Sequence, residues 1–192
     1  KELTDSDFEK IGKAVELLEK SNFFIDDTSA LSPSEILSRS RKLKREFPEL
    51  GLVVLDYLQL MRADNSNPSR VNEMSEISRA TKALAKELDV PVIALSQLNR
   101  ASETRTNKEP IMADLRDSGA LEQDADLVIF PFRPEFHEPT PENKGIAKVI
   151  VAKHRNGETG NILLHWAARY TSFEDLALND PAYDNFSSNN QN

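Results

Sequence analysis

Residues 51–60, GLVVLDYLQL, constrain the fold of this chain more than any other stretch. Leu52 to Leu55 form an unbroken apolar run that Asp56 ends, the pattern of a short strand buried on both faces. Such strands belong to parallel sheets inside α/β domains. Asp56 then stands at the carboxyl end of its strand, where open α/β sheets place their ligands. A carboxylate in that position needs a partner, and hydrated magnesium is a common one in nucleotide-hydrolysing folds. An aspartate capping the next helix is the plainer alternative.

The rest of the chain alternates helices with strands. Phe8, Ile11, Val15 and Leu18 recur at helical spacing over 5–20, with Asp5 or Ser6 as cap. FFIDDT at 23–28 is expected to be a short strand. Ser32, Pro33 and Glu35 spell a capping box with proline at the first helical position, opening a helix that runs to about Glu46. That helix carries Arg39, Arg41, Lys42, Lys44 and Arg45, a basic run that more often marks a solvated face than a site. Met74, Ile77, Ala80, Leu84 and Leu88 line one face of a helix over 70–88, and VPVIALS at 90–96 is the next buried strand. A helical stretch over 113–124, a strand at 127–132, a proline-marked excursion and a hairpin of strands at 146–152 and 161–166 follow. The order predicts an α/β fold, a mostly parallel sheet flanked by helices with an antiparallel hairpin at its edge.

A length of 192 residues suits one domain with a sizeable core. The absence of cysteine excludes a disulfide scaffold or a thiolate metal site, and the three histidines lack zinc-ligand spacing. No apolar run approaches the roughly 20 residues that span a bilayer, so the expectation is a soluble, cytoplasmic protein. A net charge of −8 argues against a protein that coats nucleic acid through its global field; any such contact must be local.

Polar groups collect at the expected strand ends. Asp56 ends the first strand; Ser96 and Gln97 end the second, in ALSQLNR; Asp124 and Asp126 precede the third; Lys153 and Arg155 follow the fourth. In a parallel sheet these ends converge on one edge. An acid for a metal, an amide for a γ-phosphate or water, and cations for phosphate charge make an inventory for phosphoryl transfer. Gln97 as a loop-capping amide, and Lys153 and Arg155 as exposed hairpin charges, are the structural alternatives. No G-x-x-x-x-G-K-[ST] loop occurs, so the main triphosphate grip is not in this sequence.

Four ordered segments carry a resemblance: LVVLDYLQLM at 52–61, EISRATKALAKELDVPVIALSQLNR at 76–100, DLRDSGALEQDADLVIF at 114–130 and KHRNGETG at 153–160. Together they resemble the carboxy-terminal motor domain of the replicative hexameric DNA helicases, the DnaB-like family. The resemblance implies a RecA-like fold over 1–173 and ATP-driven unwinding by a homohexamer. It does not reach the end of the chain, 174–192, which is rich in Asn, Ser and Asp from about Ala177 and by that composition is expected to be a polar, disordered tail. Asp56 matches the Walker B aspartate that holds Mg2+, and Gln97 the glutamine that senses the γ-phosphate of ATP. Arg155 matches the arginine finger and Lys153 its companion, both acting on a neighbour's nucleotide. Arg116, Asp117 and Gly119 match the channel loop that grips single-stranded DNA, although the family usually has glutamate where this chain has Asp117. A lone polar turn with an internal Arg116–Asp117 pair is the alternative. A primase and a helicase loader are the implied partners. The family's nucleotide loop, catalytic glutamate and linker helix are expected upstream of Lys1, which predicts that this chain alone is inactive and mainly monomeric. The competing readings are another RecA-like ATPase, such as a recombinase, and a non-enzymatic DNA-binding or regulatory module built on the same fold.

Overall fold

The structure is a computed structural model that describes residues 3–65, 69–99 and 104–176, with the side chains of 116–118 outside that description. Helix α1 (Asp5–Glu19) starts at Thr4, not at Asp5 or Ser6, because Thr4 and Asp7 close a reciprocal capping box. Helix α2 (Pro33–Glu46) opens as the sequence predicts: the Ser32 N–H donates to Glu35 Oε2 at 2.7 Å, and Ser32 Oγ accepts from the Glu35 N–H. Strand β1 (Val53–Leu55) runs parallel to β2 (Val92–Ala94), with α3 (Arg70–Leu88) between them in sequence. Asp89 ends α3 in the left-handed conformation. A 3₁₀ segment (Met112–Ser118) leads into α4 (Gly119–Asp124).

Four antiparallel strands follow in sheet order: β3 (Leu127–Phe132), β4 (Ile146–His154), β5 (Gly160–Ala167) and β6 (Ser172–Asp175). The expected hairpin is therefore the centre of a larger antiparallel sheet. β6 is an addition to the predicted order, and it crosses the division expected at 173 between domain and tail. The tail from 177 lies outside the described residues. No helix among the described residues is long and apolar enough to cross a membrane.

Helices α2 and α3 cover one face of the β1–β2 pair. Leu84, Leu88 and Val90 pack with Val53 and Val92, while Leu58, Met61, Met74 and Ile77 pack with Leu55. The other face is open: Val54 is 55% and Ile93 50% exposed, beside Leu52 and Leu95. The expected burial on both faces is thus not met, because no element among the described residues lies over that side. Phe8, Ile11, Val15 and Leu18 of α1 are likewise exposed, and α1 buries none of its residues. The expected strand at 23–28 does not form: the segment is without a ladder, Phe23 and Ile25 are exposed, and Asp26 is taken by Arg39 at 2.6 Å. In-chain partners also claim two more cations of the basic run, Arg41 by Glu87 and Lys44 by the Leu50 carbonyl.

Leu58 is fully buried in the cluster beneath β1. Leu58→Ala is expected to cost about 2–5 kcal/mol, since a cavity remains where the side chain was. Urea unfolding of the two proteins measures this; a loss under about 1 kcal/mol would show that the cluster collapses around the gap.

Candidate functional site

The site begins where β1 ends. Leu55 pairs with Ala94, the Leu95 N–H donates to the Leu55 carbonyl at 2.9 Å, and the Leu58 N–H donates to the Leu95 carbonyl at 3.0 Å. Between these bonds the chain turns at Asp56, leaving its side chain exposed at the carboxyl end of the strand. Among the described residues no hydrogen bond or ion pair occupies the Asp56 carboxylate. Gln97, also exposed, follows β2. The two segments are tied by Gln59. Its Oε1 accepts from the Gln97 N–H at 3.2 Å, and its Nε2 donates to Ser96 Oγ at 2.9 Å and to the Gln97 carbonyl at 3.3 Å. Asp56 and Gln97 are therefore held on one edge, as the strand-end reading requires.

The next segment ties this edge to the stretch containing Arg116. The Asn99 N–H donates to the Asp114 carbonyl at 2.9 Å. The Asp114 side chain is buried and receives both Arg105 terminal nitrogens at 2.7 Å and the Ile111 N–H at 2.8 Å. The Arg105 guanidinium, with the Ile111 N–H behind it, holds the Asp114 carboxyl below the usual carboxylate range. Arg116 and Asp117 lie on the 3₁₀ backbone that starts here, and their side chains lie outside the described residues. Gly119 opens α4; an added Cβ would meet nothing within 4 Å, so internal packing does not require glycine.

Lys153 and Arg155 do not join Asp56 and Gln97. Because β4 is antiparallel to β3, its carboxyl end pairs with the start of β3, Leu127 with His154. The finish of β3 lies by the other edge, where Phe132 and Arg133 share a cavity with Leu98 and Asn99. The expectation that all strand ends converge fails for this reason. Lys153 Nζ instead donates to the Glu122 and Gln123 carbonyls at 2.6 and 3.2 Å, closing the end of α4. Arg155 pairs with Asp126 at 2.8 Å, with Lys82 on the other carboxylate oxygen. Lys82 first, then Arg155 and Lys153, hold the Asp126 carboxyl below its ordinary value.

Three site-forming residues are missing from the sequence reading: Gln59, Arg133 and Trp166. Arg133 follows a strand, as Asp56 and Gln97 do, so the same strand-end rule finds it; the prolines around it mark the turn more strongly. Its guanidinium stacks on the Trp166 ring at 4.5 Å, and its Nε is buried without a hydrogen-bond partner among the described residues. The cavity beside it, about 590 Å³, is lined by Phe132, Phe136, His137, Trp166 and Phe173 as well. The carbonyl of Gly145, a residue at a positive φ of 69°, accepts from the Trp166 N–H at 2.7 Å and fixes that strand's entry to the sheet.

Residues 1–175 match the DnaB-like helicase C terminal domain family. The replicative DNA helicase DnaB of Pasteurella multocida is 49% identical over 176 residues, which are 91% of this chain and 38% of that protein. The same-named protein of Rickettsia typhi is 44% identical, over 91% of this chain and 38% of its own length. The chain thus spans about two fifths of the relatives it matches. Among solved structures, one ATPase domain superposes with a TM-score of 0.87 at 42% identity, covering 92% of this chain and 62% of that one. A DnaB-like replicative helicase, described with its interactions with primase, also gives 0.87 at 42% identity, over 92% of this chain and 42% of that one. These likenesses establish the RecA-like α/β fold expected from the sequence.

The buried Asp114–Arg105 pair gives a pH-dependent expectation. Its folded carboxyl lies below the unfolded one, so its stabilisation is complete above the ordinary value of about 3.9 and is lost as pH falls through the lower folded value. Asp114→Asn is expected to cost about 1–3 kcal/mol at pH 7, with the gap from the parent narrowing below about pH 4. Urea midpoints at about pH 7 and about pH 3 measure it; an equal gap at both would show that the charge is not what stabilises.

Proposed function

The chain belongs to the DnaB-like helicase C-terminal domain family, and from that membership we propose that it is the distal part of a replicative DNA helicase motor. The motor hydrolyses ATP and moves along single-stranded DNA as a ring of six subunits. Primase and a loader are its protein partners, and the cytoplasm its compartment. Residues 1–175, to the end of β6, form the motor part, and the tail follows them. The observation that supports this reading best is the edge shared by Asp56 and Gln97, two strand-end groups joined through Gln59.

Asp56 suits Mg2+: it is an exposed oxygen donor with no cation on it among the described residues, and such ions are held by one or two carboxylates together with substrate phosphates. Bound there, the ion would neutralise phosphate charge. Gln97 turns its free amide to the γ-phosphate or to the attacking water. The neighbouring aromatic cavity, with Arg133 at its wall, fits the base of the same nucleotide. Lys153 and Arg155, at the opposite end of β3, serve the nucleotide of the adjacent subunit. Arg116 holds DNA phosphate, Asp117 orients it or accepts from a backbone amide, and Gly119 lets the strand come close.

Action across an interface is testable in mixed rings of the full-length protein. Arg155→Ala should keep nucleotide binding and lose most hydrolysis. Rings doped with Asp56→Ala subunits should regain activity wherever an intact Asp56 faces an intact Arg155. No regain at any ratio, with mixed rings shown to form, would exclude it.

Arg116→Ala in the full-length ring should weaken binding of mixed and homopolymer single strands by a similar factor. Its salt dependence should fall by about 0.7 in log–log slope for each phosphate that Arg116 no longer neutralises. A weakening confined to particular sequences, or an unchanged slope, would instead favour an internal pair with Asp117.

A further inference from the structure

We propose that Gln59 is a positioning residue for ATP hydrolysis, acting through Gln97. The proposal rests on the reading of Gln97 as the γ-phosphate sensor. It starts from an interruption in the parallel ladder. β1 stops pairing as backbone at Leu55, because the chain turns away at Asp56. The chain beyond β2 runs on through Leu95 and Ser96 to Gln97, and its polar backbone groups need new partners. Leu58 satisfies the Leu95 carbonyl. From there the Gln59 side chain takes over the role of a strand residue: its Oε1 accepts from the Gln97 N–H, and its Nε2 donates to the Gln97 carbonyl and to Ser96 Oγ.

Only a primary amide does this. It carries a donor and an acceptor in one plane and so matches both backbone groups of a single residue. A carboxylate of the same length lacks the donor, and an apolar side chain lacks both. The mount is itself fixed. Leu58, the preceding residue, is fully buried, and an Arg70 terminal nitrogen donates to the Gln59 carbonyl at 2.8 Å while the same guanidinium pairs with Glu73. The backbone of Gln97 is thus clamped on both of its polar groups, whereas its own side chain has no partner among the described residues and is left for the phosphate. A reacting geometry held this closely is sensitive to shifts of an ångström.

The test uses the full-length ring and four proteins: Gln59→Leu, Gln59→Glu, Gln97→Ala and the double variant Gln59→Leu/Gln97→Ala. Gln59→Leu should lower kcat for ATP about tenfold, the effect of one misplaced hydrogen-bonding group. ADP affinity, read with a fluorescent ADP, and the melting temperature should stay near those of the parent. Gln59→Glu should change kcat in the same direction, and it supplies the measurement if the leucine variant fails to fold. The double variant should be no slower than Gln97→Ala alone, because Gln59 acts only through Gln97. Additive losses in the double variant would overturn the proposal, as would an unchanged kcat in the Gln59 variants, or a fall of ADP affinity and melting temperature in step with kcat. If Gln97→Ala keeps the parent's turnover, the sensor reading fails and this inference with it; if only the Gln59 variants keep it, the sensor reading stands and the inference alone falls.

Discussion

The pairing of Leu55 with Ala94 sets the relation between the two halves of the edge on which the site is built. Parallel strands bring their carboxyl ends out on the same side, so one correct register suffices to place Asp56 and Gln97 together. A slip of one residue would turn Val53 and Leu55 away from α2 and α3 and bring Val54 inward, which the packing of Leu58, Met74 and Ile77 resists. Helix packing on one face therefore holds chemistry at the strand ends. The link runs from apolar residues in α3, through a three-residue strand pair, to two polar side chains.

The reversal of direction between β3 and β4 has the opposite consequence. It sets Lys153 and Arg155 by the start of β3, while the finish of β3 lies beside Leu98 and Asn99, next to Gln97. Within the chain these cations are bonded to the end of α4 and to Asp126, not to Asp56. If both sets act on ATP, as proposed, two copies must contribute to each site, and hydrolysis then depends on assembly. The ring would be a chemical requirement as well as a way to encircle DNA.

Much of this is legible in the sequence where one local signal dominates. The Ser32–Glu35 box, the 70–88 periodicity and the runs at 52–56 and 90–96 each have a single reading, and the helices and strands stand there. The shared edge of Asp56 and Gln97 follows from the strand-end rule. The errors arise where distant chain decides. FFIDDT has strand composition but no ladder partner among the described residues, and Leu52 and Val54 are apolar without a cover. The strand-end rule, applied to Lys153 and Arg155, assumes parallel direction, which composition does not encode. Gln59 is invisible in the sequence because its role depends on where a second strand passes. A glutamine in a loop carries no mark of the backbone that it will bond.

Charge adds a last constraint. With a net charge of −8, the chain repels ATP and DNA at long range, and many of its structured cations already have carboxylate partners. Those pairs differ in strength. Arg105 faces a buried Asp114 and is held there; releasing it would leave an uncompensated buried charge. Arg155 and Asp126 are both about half exposed, and such pairs contribute about 0–1 kcal/mol. Lys82 stays on Asp126 when Arg155 leaves, so that carboxylate is not stranded. In the proposed ring, the phosphate of a neighbouring subunit would offer more charge and several acceptor oxygens. Arg155 is therefore a cation of this face that can change partner at small cost, while Arg105 keeps the segment before Arg116 in place.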